Sequence, residues 1–167
     1  MAPTPPLIIA VQARNIVECR RLIETGEANV NEDRDRDGGG MTALHWASYR
    51  GHLDIAELLV SSGADMTIAN KYGWTALHLA SSHGHLDVVR LLLTEGADMT
   101  IAANNGCTAL HYASSNGYLD VANCLRKWPC TMAIIALQEL ALYYYLDAST
   151  IIDLWQYLDQ EAIEIVE

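Results

Sequence analysis

The chain has 167 residues, of which 51% are hydrophobic, and carries 21 Asp and Glu against 10 Lys and Arg, a formal net charge of −11. That apolar content excludes general disorder, and the length is enough to bury a sizeable core. The acidic balance disfavours a nucleic-acid ligand, because phosphate backbones would be repelled.

The first segment, "MAPTPPLIIAVQAR", has no positive n-region and only a short apolar run, so it is a poor signal peptide. Residues 1–6 are expected to be a tail. From Leu7 onward the chain reads "LIIAVQARNIVECRRLIETG", with Leu7, Ala10, Ile16 and Leu22 apolar and Gly26 at the end. The next stretch, "EANVNEDRDRDGGGMT", is charged and glycine-rich, and predicts an exposed hairpin loop. Within it Asp33, Asp35, Asp37 and Gly38 imitate half of an EF-hand calcium loop. The twelfth position is Leu44 rather than a bidentate Glu, and Arg34 and Arg36 interrupt the carboxylates, so calcium is not expected.

At residues 42–45 the chain reads "TALH", and it does so again at 75–78 and 108–111. The neighbourhood repeats too: "GMTALHWASYRGHLDIAELLVSSGADMTIA" is followed by "GWTALHLASSHGHLDVVRLLLTEGADMTIA" and "GCTALHYASSNGYLDVANCLRKW". A catalytic motif would not carry its flanks with it, whereas a structural unit must present the same face to each neighbour. Gly73 suits a tight turn of positive φ, and the Thr75 hydroxyl can cap a first helix ending at Gly84. Ala76 and Ala80 give that helix a small-residue face. Asp87 opens a second helix, with Val88, Leu91 and Leu92 as its buried stripe and Gly96 as its end. Helices this short are not stable alone in water, so stability must come from stacking.

Pro129 stands where Gly63 and Gly96 would recur. Beyond it are expected an apolar helix over 131–146 and a second helix after "DASTIID", where Thr150 and Asp153 have capping-box spacing. This second helix has Ile151, Leu154, Trp155, Leu158, Ala162 and Ile165 on one side. The pair is read as a cap on the stack, with dimerisation or docking as the alternative. The apolar run around 131–146 is short for a bilayer span and contains Gln138 and Glu139. Cys19, Cys107, Cys124 and Cys130 form no CxxC pair, which suits a reducing compartment. These features together predict a soluble cytoplasmic protein, with the nucleus as the alternative location.

The three motifs "TALHWA", "TALHLA" and "TALHYA" resemble the T-P-L-H-x-A signature of the ankyrin repeat family, with Ala in place of Pro. The resemblance implies an all-α solenoid of helix-turn-helix repeats joined by β-hairpin turns. Repeats would span 7–36 (degenerate), 37–69, 70–102 and 103–128, with the helical pair at 129–167. It also implies a non-catalytic scaffold that binds a protein partner, with no cofactor, no nucleic acid and no membrane. The expected state is monomeric, with a homodimer through the C-terminal helices as the alternative; the second functional reading is an assembly or regulatory subunit using those helices. Carried over by position, the partner-binding tips are Met41, Lys71, Tyr72, Trp74, Asn104, Asn105 and Cys107. The first-helix positions are Tyr49, Arg50, Ser82, His83, Ser115 and Asn116. His45, His78 and His111 recur with the period and are read as turn-holding residues rather than metal ligands or catalysts.

Overall fold

The computed structural model describes residues 4–32, 34–35 and 39–129. The chain divides into two compact units, Met1–Leu125 and Arg126–Glu167. Of the helical pair anticipated at 129–167, all but Pro129 lies outside the described residues, and with it the capping and dimerisation readings. So do Asp33, Asp37 and Gly38 of the EF-hand comparison.

The described residues are helical with no named strand, an all-α solenoid. The elements are α1 (Pro6–Gln12), α2 (Ile16–Glu24), α3 (Ala43–Arg50), α4 (Leu53–Ser61), α5 (Ala76–Ser82), α6 (Leu86–Thr94) and α7 (Ala109–Ser115), then a helix α8 over 119–129. They form two layers. Helices α1, α3, α5 and α7 stack in sequence, and α2, α4 and α6 stack behind them, each packed on the helix that precedes it.

The tetrapeptide explains the first layer. Thr42, Thr75 and Thr108 occupy the N-caps of α3, α5 and α7, each in a capping box with the histidine three residues on. Behind each cap, alanines make the close contact between helices. Ala43, Ala47, Ala80 and Ala113 are fully buried, and Ala76 and Ala109 nearly so. In the second layer the buried stripe of α6 is Val88, Val89, Leu92 and Leu93. Leu91, expected in that stripe, is only half-buried, because the helix meets both α5 and α4 and turns a wider face inward.

The hairpin turns share one register. Asp35 N–H donates to Met41 O, Asn70 N–H to Trp74 O, and Ala103 N–H to Cys107 O, all at 2.9 Å. Antiparallel bridges close the first and third turns, at Arg34–Thr42 and Ala102–Thr108. Five residues lie between Asp35 and Met41 where three lie between Asn70 and Trp74, so the first turn is two residues longer.

Asp35 corrects the expectation of an exposed loop. It is only 5% exposed. Its Oδ1 accepts the Gly40 and Met41 N–H groups at 3.1 and 3.2 Å, and its Oδ2 accepts the Trp46 indole N–H at 2.7 Å. The carboxylate is the turn's internal acceptor, satisfied by three donors.

Arg14 marks the degenerate repeat. It takes the place of Gly51 and Gly84 and adopts φ 53°, a left-handed conformation that costs a side-chain-bearing residue strain. Asn15 follows it and caps α2 by accepting the Glu18 N–H at 3.1 Å.

Candidate functional site

The motif histidines join consecutive repeats. His45 Nδ1 accepts the Thr42 N–H at 3.1 Å, and His45 Nε2 lies 2.9 Å from the Trp74 carbonyl of the next turn. A backbone N–H can only donate and a carbonyl can only accept, so the ring is the neutral tautomer carrying its proton on Nε2. His78 repeats the arrangement with Thr75 N–H at 3.2 Å and the Cys107 carbonyl at 3.3 Å. Burial pushes the pKa of His45 down to about 4 and lowers that of His78 as well. His111 receives the Thr108 N–H at 3.0 Å but is exposed, and no carbonyl among the described residues receives its Nε2. Every hydrogen-bonding position of His45 and His78 is thus occupied by the architecture.

The residues that do not repeat gather elsewhere. A groove of about 630 Å³ runs along the turns and the first-layer helices. Seven of the anticipated partner-binding residues line it: Met41, Tyr49, Tyr72, Trp74, His83, Asn104 and Asn105. Its floor is aromatic. The Trp74 and Tyr112 rings lie 4.4 Å apart between centroids, and Tyr49 meets the His83 ring edge-on at 4.4 Å. Tyr72 remains 55% exposed with Lys71 Nζ 5.0 Å above its ring, and the Arg50 guanidinium lies 5.8 Å from the Tyr49 ring centroid.

Of the other anticipated positions, Arg50 and Lys71 stand over these tyrosines, and Ser82, Cys107, Ser115 and Asn116 make hydrogen bonds to their neighbours. Ser82 is buried, not on a free helix face: its hydroxyl donates to the Leu79 carbonyl at 3.0 Å, and its own carbonyl accepts the Asn116 amide at 2.8 Å. Ser115 is exposed, with its hydroxyl turned back onto the Tyr112 carbonyl at 3.2 Å. Cys107 is half-buried, its N–H held by Asn105 Oδ1 at 3.0 Å. Met41 is 7% exposed, so it forms the groove's floor rather than an exposed tip.

Three lining residues were not anticipated: Asn70, Leu79 and Tyr112. Leu79 and Tyr112 stand at the varying position of TALHxA, a signal present in the repeat itself. Tyr112 belongs to the groove, packed on Trp74 and His78 at 4.4 and 5.9 Å. Asn70 aligns with Asp35 and Ala103, another position that does not repeat.

A family model for ankyrin repeats (three copies) matches residues 3–70 and 63–132. Over 64 residues the chain is 38% identical to the human ankyrin repeat domain-containing protein 49, covering 38% of this chain and 26% of that protein. The human Notch-regulated ankyrin repeat-containing protein is 40% identical over 68 residues, 39% of this chain and 57% of that one. The palmitoyltransferase AKR1 of Candida glabrata is 38% identical over 56 residues, 34% of this chain and 7% of the enzyme. The chain therefore spans between 7% and 57% of the length of these relatives.

Proposed function

We propose, from the premise that this chain belongs to the ankyrin repeat family, that it is a non-catalytic module holding one protein partner in the groove between its turns and first-layer helices. Ankyrin repeats serve generally as protein-interaction modules. The observation that carries the finer reading is the groove itself, with Tyr49, Tyr72, Trp74 and Tyr112 collected along one face. A large aromatic held part-exposed beside an apolar floor is the composition of an interface hot spot. Tyr72 is the best single anchor, being over half exposed while its backbone is fixed by Asn70 Oδ1 and Asn104 N–H. Trp74 contributes to the stack as well as to the surface, since its ring lies on Tyr112 and its carbonyl receives His45.

The test separates surface from packing. Tyr72→Ala should weaken partner capture by about 2 kcal/mol of binding free energy and leave the melting temperature unchanged. Glu57→Ala, on the second layer, should leave both unchanged. Capture that survives Tyr72→Ala but is lost on substituting second-layer residues would move the binding face to the other side of the solenoid.

A further inference from the structure

The groove is distinctive in its charge. Helices α1, α3, α5 and α7 contain no Asp or Glu, whereas α2, α4 and α6 carry Glu18, Glu24, Asp54, Glu57 and Asp87. No described residue lining the groove is acidic. Asp35, in the turn that leads to Met41, is buried and occupied by its three N–H donors. Lys71 and Arg50 stand at the rim over Tyr72 and Tyr49, and neither forms an ion pair with a described residue. Arg14, Arg20 and Arg21, by contrast, are each matched to a carboxylate. Among the described residues, an acidic molecule thus presents a groove without carboxylates in its lining and with two cations at its rim.

The groove also holds side-chain amides fixed with their N–H groups available. Asn70 is 91% buried, and its Oδ1 accepts the Tyr72 and Trp74 N–H groups at 2.9 and 3.1 Å. Only an oxygen can accept those bonds, so the amide nitrogen is the other end, with no partner among the described residues. Asn105 is held likewise, its Oδ1 taking Cys107 N–H at 3.0 Å and the Tyr112 hydroxyl at 3.1 Å. The groove therefore offers two side-chain amide nitrogens that can only donate, beside the hydroxyls of Tyr49 and Tyr72, which donate or accept. Asn104 Oδ1 is an acceptor at the same face, its amide nitrogen being engaged with the Lys71 carbonyl at 3.0 Å.

Resting on the groove as binding face, we infer that its occupant is an acidic peptide segment. An aromatic or leucine side chain enters between Trp74 and Tyr72, flanked by Asp or Glu that meet Lys71 and Arg50. The fixed amides of Asn70 and Asn105 donate to the segment's carbonyls or carboxylates. Single-stranded nucleic acid offers negative charge and stacking faces too, but it carries a phosphate at every unit. A peptide can confine a few acids to the Lys71 and Arg50 rim and so meets less repulsion from a protein of net charge −11.

The test is selection from a random peptide library on the immobilised full chain, with the winning peptides resynthesised for calorimetry and a poly(U) oligonucleotide as parallel probe. The expected winners carry one aromatic or leucine within a run of Asp and Glu. Their binding weakens as salt is raised, and the Lys71→Glu, Arg50→Glu double variant loses about tenfold or more in affinity at an unchanged melting temperature. Winners that need Tyr72 but carry no acid, or are basic, overturn the acidic-partner inference and leave the groove as binding face. Winners indifferent to Tyr72→Ala, or no winners at all, overturn both. Tight poly(U) binding lost in the double variant would replace the peptide with nucleic acid.

Discussion

His45 couples folding to pH through a single proton. In the folded chain burial holds its pKa near 4, against 6.5 in an unfolded one. Above pH 6.5 neither state is protonated and the full stability is present. Between pH 6.5 and 4 the unfolded chain gains a proton that the folded ring refuses, since a proton on Nδ1 would displace the Thr42 N–H. Stability should therefore fall across that window, by on the order of 3 kcal/mol at its acid end. His78 is shifted in the same direction for the same cause. The carboxylates Asp65 and Asp98, held low by their threonine hydrogen bonds, add their loss only below this window. Thermal melts between pH 7.5 and 4.5 should show the decline, and His45→Gln should start lower but decline less. A melting temperature flat across the window would mean that His45 takes up a proton without cost.

Between elements, the GHLD and GYLD motifs make the contact. Each begins where the first helix of a repeat ends, and the aromatic residue covers the glycine of the repeat before. The space that a Cβ on Gly51 would occupy is filled by the His85 ring, and on Gly84 by the Tyr118 ring. His85 Nε2 also lies 3.1 Å from the Tyr49 carbonyl, next to Gly51. Glycine is thus needed twice at position 84, for φ +73° and for the approach of Tyr118. Gly63, at φ +85°, has open space around it. Gly63→Ala should then cost only the conformational strain, about 1 kcal/mol, while Gly84→Ala should cost roughly 2–4 kcal/mol because a ring must also move. Equal losses in denaturant melts would show that the ring yields freely and that the contact contributes little.

The whole stack is held by nearest neighbours, with α1 on α3, α3 on α5 and α5 on α7. A repeat at one end should therefore stabilise without shaping a distant site. Removing residues 1–26 takes away Leu7, Ile8, Val11 and Leu22, all buried, and opens the sides of α3 and α4 to water. The shortened chain should melt several degrees lower, on the order of 2–5 kcal/mol less stable. Binding of the selected peptide should nevertheless stay within about threefold, since the groove spans Met41 to Tyr112 and touches neither α1 nor α2. Loss of binding with a cooperative melt retained would mean that the first helix pair sets the groove's shape.

The repeat, its helix starts and its glycine ends were all legible in the sequence, because each rests on interactions within a few residues. The cap from Thr75 to His78 spans three positions, and the left-handed glycines follow directly from the turn they close. Most of the groove was legible too, since seven of its residues fall where one repeat departs from the next. What the sequence could not assign was the direction of each departure. Met41 and Ser82 vary yet lie buried, Leu79 and Tyr112 occupy the varying place of the motif yet line the groove, and Asp35 reads as loop charge yet is enclosed. The partners that decide these positions lie a repeat or a turn away: Trp74 packs on Tyr112, Asn116 reaches the Ser82 carbonyl, and Trp46 reaches Asp35. Local periodicity places a residue on a helix, but only the stacked neighbour decides whether that place is covered or open.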